Sequence, residues 1–95
     1  MKVRLAPQVV DFVRTLAPEP RRLLRRALRD LESGKGDVKS LDGPSQDYSR
    51  MRIGPYRVIL SYRRSPTIDC VFAERRNIIY EVFADAMIDR LMRDR

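Results

Sequence analysis

The stretch YSRMRIGPYRVI, residues 48–59, decides the fold class of this chain. Its first half alternates two sets of side chains, as the two faces of a β-strand require. One set is Tyr48, Arg50 and Arg52, and the other is Ser49, Met51 and Ile53. Gly-Pro at 54–55 predicts a tight turn, and residues 56–62 continue as a strand rich in Val, Ile, Leu and Tyr. The stretch therefore predicts a β-hairpin with one apolar face and one basic face.

Two amphipathic helices are predicted before this hairpin. Apolar residues recur at helical spacing over residues 8–17 and again, more strongly, over residues 20–33. Pro18 and Pro20 separate the two runs, and Gly34 ends the second. So short a break predicts a helix hairpin. The arginines of the second helix lie opposite its apolar stripe, which marks either a solvated face or a surface for a polyanion.

The other elements complete an α+β domain spanning residues 1–95. Residues 2–5, 67–72 and 78–83 are predicted as strands, residues 84–95 as a final helix, and segments 34–37 and 41–44 as a loop and a turn. The order is an N-terminal strand, a helix hairpin, three or four antiparallel strands of a twisted sheet, and a C-terminal helix. The helix hairpin is expected to cover one face of the sheet, leaving the other partly open and basic.

The composition predicts a globular protein that binds a polyanion. Hydrophobic residues make up 43% of the chain, and 20 Lys and Arg against 13 Asp and Glu give a net charge of +7. Most of these cations are Arg, which binds phosphate in a bidentate manner. The N-terminal residues contain no long apolar run, so neither a signal peptide nor a membrane span is expected and the predicted location is cytoplasmic.

The cysteine and histidine content limits the catalytic and metal-binding chemistry that the chain can carry out. Cys70 is the one cysteine, so no internal disulfide can form, and its apolar surroundings indicate a structural thiol. The chain has no histidine, which removes the commonest general base and the commonest zinc ligand. No metal and no cofactor is expected.

Two blocks of sequence resemble one family of proteins. In the first, Leu41-Asp42-Gly43 precedes the alternating basic strand, and a Gly turn leads into Tyr-Arg-Val-Ile at 56–59. In the second, VFAERRNIIY at 71–80 has a basic pair and then an aromatic residue four positions later. With the helix hairpin upstream and the helical tail, the chain resembles the RelE/ParE superfamily of toxins from type II toxin–antitoxin systems, and RelE-like members more than ParE-like ones.

The resemblance implies an enzyme that cuts messenger RNA held in the ribosome and so inhibits translation. In RelE-like toxins a ribose 2′-hydroxyl attacks its own phosphate and no metal is needed. Carried over to this chain, the catalytic residues are Arg57, Tyr80 and Arg76, and the RNA-binding residues are Arg50, Arg52 and Arg75. The chemistry agrees, because a cluster of Arg with one Tyr suits a phosphate and a stacked base. Arg57 would stabilise charge on the phosphate, and Tyr80 would orient the nucleotide or transfer a proton.

One departure concerns proton transfer. Some relatives carry Lys in place of Arg50 and Arg52, and others carry His in place of Arg75. Arginine does not release a proton under ordinary conditions. Tyr80 is the candidate substitute, and the acidic residues nearby in sequence are Asp47, Glu74 and Glu81.

The resemblance also implies partners: an acidic, partly disordered antitoxin, which would form a hetero-oligomer with the toxin, and the ribosome with its mRNA. Other functions remain open at this point. ParE-like toxins share the fold, lack the nuclease residues and poison DNA gyrase. A third hypothesis is a plain RNA-binding module or an inactive relative.

Structural roles for the predicted site residues also remain open. Arg50 and Arg52 could protect a sheet edge. Arg57 could pair with Asp42 or Asp47, and Tyr80 could be a core aromatic.

Overall fold

The computed structural model describes residues 1–41 and 47–93, without the side chains of residue 86 and residues 88–93. Its elements, in chain order, are β1 (Lys2–Leu5), α1 (Pro7–Thr15), α2 (Pro18–Leu31), β2 (Asp37–Ser40), β3 (Ser49–Ile53), β4 (Tyr56–Ser61), β5 (Thr67–Arg75) and α3 (Ile79–Arg93). The strands form one five-stranded sheet in the order β1-β5-β4-β3-β2. Strands β2 to β5 pair antiparallel, and β1 adds to β5 in parallel. The predicted α+β class is confirmed.

Proline sets the start of both early helices. Pro7 and Pro18 occupy the beginnings of α1 and α2, where a missing backbone N–H costs no helical hydrogen bond. Pro18 and Pro20 were expected only to separate the two helices. Pro18 instead begins α2, two residues earlier than predicted. At the junction, Arg21 donates to the carbonyl of Leu16 at 2.9 Å and so satisfies a free carbonyl after α1.

The sheet separates two apolar clusters. On the inner face, which α1 and α2 cover, residues such as Val9, Leu24, Met51 and Val58 are almost completely buried. On the outer face, Ile59 packs with residues of α3. The predicted alternation in β3 is confirmed, because Met51 and Ile53 are buried whereas Arg52 is exposed.

A β-bulge shapes the outer face. Ile59 lies opposite Phe72 and Leu60 opposite Cys70, so Val71 is the extra residue in β5. Because of this insertion, both Val71 and Phe72 pack against the outer cluster. Beyond the end of β1, the side chain of Gln8 continues the pairing, donating to the carbonyl of Ala73 and accepting from its N–H, each at 2.8 Å.

Two expectations about secondary structure are wrong. The predicted strand over residues 78–83 is the first part of α3; Ile79, Phe83 and Met87 follow a spacing of four and form one helical stripe against the outer cluster. Asp37, predicted as the end of the loop over residues 34–37, begins strand β2, and residues 38–40, for which no element was predicted, complete it. It has little intrinsic strand preference and forms at the edge through its pairing with β3. The turn expected over residues 41–44 lies outside the described residues beyond Leu41.

Candidate nucleic-acid site

Strand register places the arginines of the hairpin side by side on the outer face. Arg52 lies directly opposite Arg57, and Arg50 lies opposite Ile59, which belongs to the outer cluster. The β3–β4 turn is two residues long, with Gly54 at φ 56°, a conformation that favours glycine. The tight turn fixes the register, and the register brings Arg50, Arg52 and Arg57 together.

Arg57 is held against the turn by its own hairpin. Its Nη1 donates to the carbonyls of Gly54 and Tyr56, each at 2.8 Å. Within the described part of the chain, Nη2 and Nε make no hydrogen bond. One edge of the guanidinium is therefore anchored, while the rest is available for a ligand.

Arg76 joins this group through the backbone. Its N–H donates to the carbonyl of Pro55 at 2.9 Å, which attaches the segment after β5 to the β3–β4 turn. Tyr80, in the first turn of α3, is 48% exposed and lies near Arg57. The reading of Tyr80 as a core aromatic is therefore wrong.

The electrostatics of Arg57 reflect this crowding. Burial lowers the pKa of Arg57, and the guanidinium groups of Arg50 and Arg52 lower it further. Tyr80 raises this pKa, and Arg76 lowers it by the smallest amount. We call these five residues, Arg50, Arg52, Arg57, Arg76 and Tyr80, the arginine cluster. An anion placed among them would relieve repulsion between like charges.

Few carboxylates neutralise the arginine cluster. Arg52 pairs with Asp37 of β2, Nε to Oδ2 at 2.7 Å, and among the described residues this is the cluster's one ion pair within 4 Å. Arg50 has a buried Nη1 without a hydrogen-bond partner there. Asp47 pairs with Arg63 instead of Arg57, at 3.9 Å, and Asp42 lies outside the described residues.

The hypothesis that Arg50 and Arg52 protect a sheet edge is wrong, because β3 has β2 on one side and β4 on the other.

Arg75 differs from the other predicted residues. It lies opposite Tyr56, whose ring packs on Phe12 of α1 with centroids 5.9 Å apart. Its strand position is therefore on the inner face, away from the arginine cluster.

The structure places two more charged residues beside this site, and the sequence did not predict their strand positions on the outer face. Lys39 of β2 lies opposite Arg50, and it was missed because no strand was predicted over residues 37–40. Glu74 was named only for its nearness in sequence; the register puts it directly opposite Arg57. Its Oε1 accepts from the N–H of Arg75 at 2.9 Å. The sequence offered one indication of strand β2: two charged residues, Asp37 and Lys39, alternate with the apolar Val38, which is half-buried.

Cys70 is a buried core thiol, as predicted. Burial raises its pKa to about 12, with a smaller contribution from Asp69, so the nucleophilic thiolate is scarce at neutral pH.

Among the described residues, no three His, Cys, Asp or Glu side chains gather as metal ligands would. Over the same residues, none of the helices has the length and apolar content needed to cross a membrane.

The fold and site define a class: a small α+β protein with a helix pair on one sheet face and clustered arginines on the other. No family model matches the chain, and no curated protein matches it. A chain of the crystal structure described as the RelB–RelE antitoxin–toxin complex from Methanococcus jannaschii matches with a TM-score of 0.66 and 21% identity, over 83% of this chain and 96% of that one. The protein therefore has a RelE-like fold.

Proposed function

We propose that this protein is the toxin of a type II toxin–antitoxin system and cuts ribosome-bound mRNA as a metal-independent endoribonuclease. The observation that carries the proposal is the arginine cluster, in which Arg57 is surrounded by three further guanidinium groups and one exposed tyrosine. Such a group suits a phosphate whose negative charge increases during reaction, next to a base that can stack on an aromatic ring. The RelE-like fold supports the same assignment.

The proposed reaction is an internal transesterification. The ribose 2′-oxygen attacks the adjacent phosphorus, the bond from phosphorus to the 5′-oxygen breaks, and a 2′,3′-cyclic phosphate and a 5′-hydroxyl remain. The 2′-hydroxyl gives up its proton and the leaving 5′-oxygen gains one. Arg57 would bind the non-bridging oxygens through its unanchored edge, because a permanent cation there stabilises the extra negative charge.

Proton transfer in this site would fall to groups other than arginine. Tyr80 is exposed beside Arg57 and can donate to the leaving oxygen. Glu74 lies opposite Arg57 on the neighbouring strand and is the carboxylate best placed to accept the proton of the 2′-hydroxyl. Arg75, on the inner face, is left out of the proposed site.

A translation reaction tests the proposed activity. We expect the protein to cut a reporter message inside its reading frame only when ribosomes translate it, with primer extension mapping the ends. A message carrying a 2′-deoxyribose at the mapped position should resist cutting there, because its attacking oxygen is missing. An intact message in the presence of folded, growth-inhibiting protein would refute the nuclease assignment, and inhibition of DNA gyrase supercoiling would then be measured.

We further propose an acidic antitoxin as the partner of this chain, in a hetero-oligomer. The matching structure is described as an antitoxin–toxin complex, and the net charge of +7 favours an acidic partner. Co-expression with the product of the neighbouring small gene should relieve growth arrest, and the two proteins should co-purify. Toxicity that persists, with no complex recovered, would count against the pairing.

A further inference from the structure

A second basic concavity lies on the outer face, at the end of the sheet away from the β3–β4 turn. It has a volume of about 640 Å³. We call it the distal groove and define it by Arg4 of β1, Ser61 and Asp69 on β4 and β5, and Arg63 and Arg64 in the turn between those two strands. Arg4 lies opposite Asp69, and Asp69 opposite Ser61, so the three share one face of the sheet.

The cations of the distal groove are weakly neutralised. Arg63 reaches Asp47 only at 3.9 Å, and both side chains are largely exposed. Arg4 and Arg64 form no ion pair within 4 Å in the described part of the chain, although Asp69 lies across from Arg4. Unpaired guanidinium groups that converge on one cavity are the usual protein receptor for a phosphate.

The size and walls of the distal groove suit a nucleotide. Its volume falls within the range of about 300–1,000 Å³ that is usual for small-ligand sites. The half-buried Val71, whose strand position is on the outer face, adds apolar surface for a base. Tyr48 also lines the groove, and its ring packs edge-to-face on Phe83 of α3, with centroids 4.9 Å apart.

The distal groove and the arginine cluster lie on the same face of one strand. Arg57 and Ser61 are four residues apart on β4, which corresponds to roughly 13 Å along the strand. Because α3 covers Ile59 between the two sites, a nucleic-acid strand that reaches both would pass beside α3 and cover more than this direct distance. A single strand of several nucleotides is long enough to contact the two sites at different phosphates.

We propose that the distal groove binds a phosphate of the RNA strand whose reacting phosphate lies at the arginine cluster. This inference rests on the proposed function, because it assumes that the substrate is RNA. The groove would act as a second binding point that holds the flanking nucleotides, with Arg4, Arg63 and Arg64 on the phosphate.

The test measures equilibrium binding of 2′-O-methyl oligoribonucleotides, which cannot be cut. An Arg63→Gln/Arg64→Gln double variant should bind a dodecanucleotide roughly tenfold more weakly at low salt. The slope of log affinity against log salt should fall in magnitude by about 1.4, for two lost phosphate contacts on a single strand. Binding of a dinucleotide at the arginine cluster, from which it is too short to reach the distal groove, should stay unchanged. The matched control is Arg25→Gln/Arg29→Gln, with the same charge loss on exposed residues of α2 behind the inner face.

An equal loss in the α2 control would overturn the proposal, because charge alone would then explain the effect. Absence of oligonucleotide binding, or binding of poly-glutamate through Arg63 and Arg64 in its place, would also overturn it. The assay separates this proposal from the nuclease assignment. If the message is never cut but the dodecanucleotide binds through the groove, only the nuclease assignment fails; if the message is cut and the double variant binds normally, only the groove fails.

Discussion

Replacing Arg57 with Ala should reduce ribosome-dependent cutting of mRNA by about 100- to 1,000-fold, the usual cost of removing one group that stabilises developing charge. The guanidinium is anchored on the β3–β4 turn through Nη1, so its other edge is already oriented when the phosphate arrives. Arg57→Lys keeps the charge but cannot hold the turn and contact two phosphate oxygens at once, so it should recover only part of the activity. Cleavage is measured by primer extension on the translated message.

Folding is the control for this loss. The two hydrogen bonds of Arg57 are partly solvent-exposed, and losing them should cost about 1 kcal/mol, which lowers the unfolding midpoint by about 4–8 °C. Arg25→Ala, on the exposed side of α2, should cut as the wild type does. If Arg57→Ala cuts normally, the arginine cluster is not the catalytic site.

Phe83→Ala should cause the largest loss of stability that we predict, about 3–5 kcal/mol. Phe83 is 4% exposed and packs edge-to-face on Tyr48 and on Phe72, with centroids 4.9 and 5.7 Å away. Removing the ring leaves a cavity at the centre of the contact between α3 and the sheet. A domain of this size has about 5–15 kcal/mol of stability in all, so the variant should unfold at much lower urea concentration.

The same variant should also lose activity at temperatures where it remains folded, because α3 carries Tyr80 beside Arg57. Phe83→Leu keeps most of the apolar volume and should be much less damaging. Asp85→Ala, exposed on the same helix, is the matched control. Urea denaturation followed by circular dichroism gives the stability, and hydrogen exchange of the α3 amides reports its docking. A wild-type midpoint for Phe83→Ala would show that the contact between α3 and the sheet adds little.

Local patterns in the sequence were sufficient where burial follows a simple repeat. The alternation about Met51 predicted the two faces of β3, and the apolar stripe through Leu24 and Leu28 predicted α2, because each strand and helix has a fixed period. The same reasoning failed for residues 78–83, where a short run of Ile, Tyr, Val and Phe fits both a strand and a helix. Packing of Ile79 and Phe83 on Ile59 decided between them.

The sequence by itself determined the α+β class and the alternation that puts Arg50 and Arg52 on one face of β3, and it named the arginines that the proposed function uses. Only the tertiary structure decided which of these residues meet. The hydrogen bond from Arg76 to Pro55 brings Arg76 to the arginine cluster, while strand register turns the adjacent Arg75 to the opposite face. Pairing with β3 also made β2 a strand and placed Lys39 on the outer face. Period and composition act within a few residues, whereas register and helix docking depend on contacts between distant segments, which a local pattern does not contain.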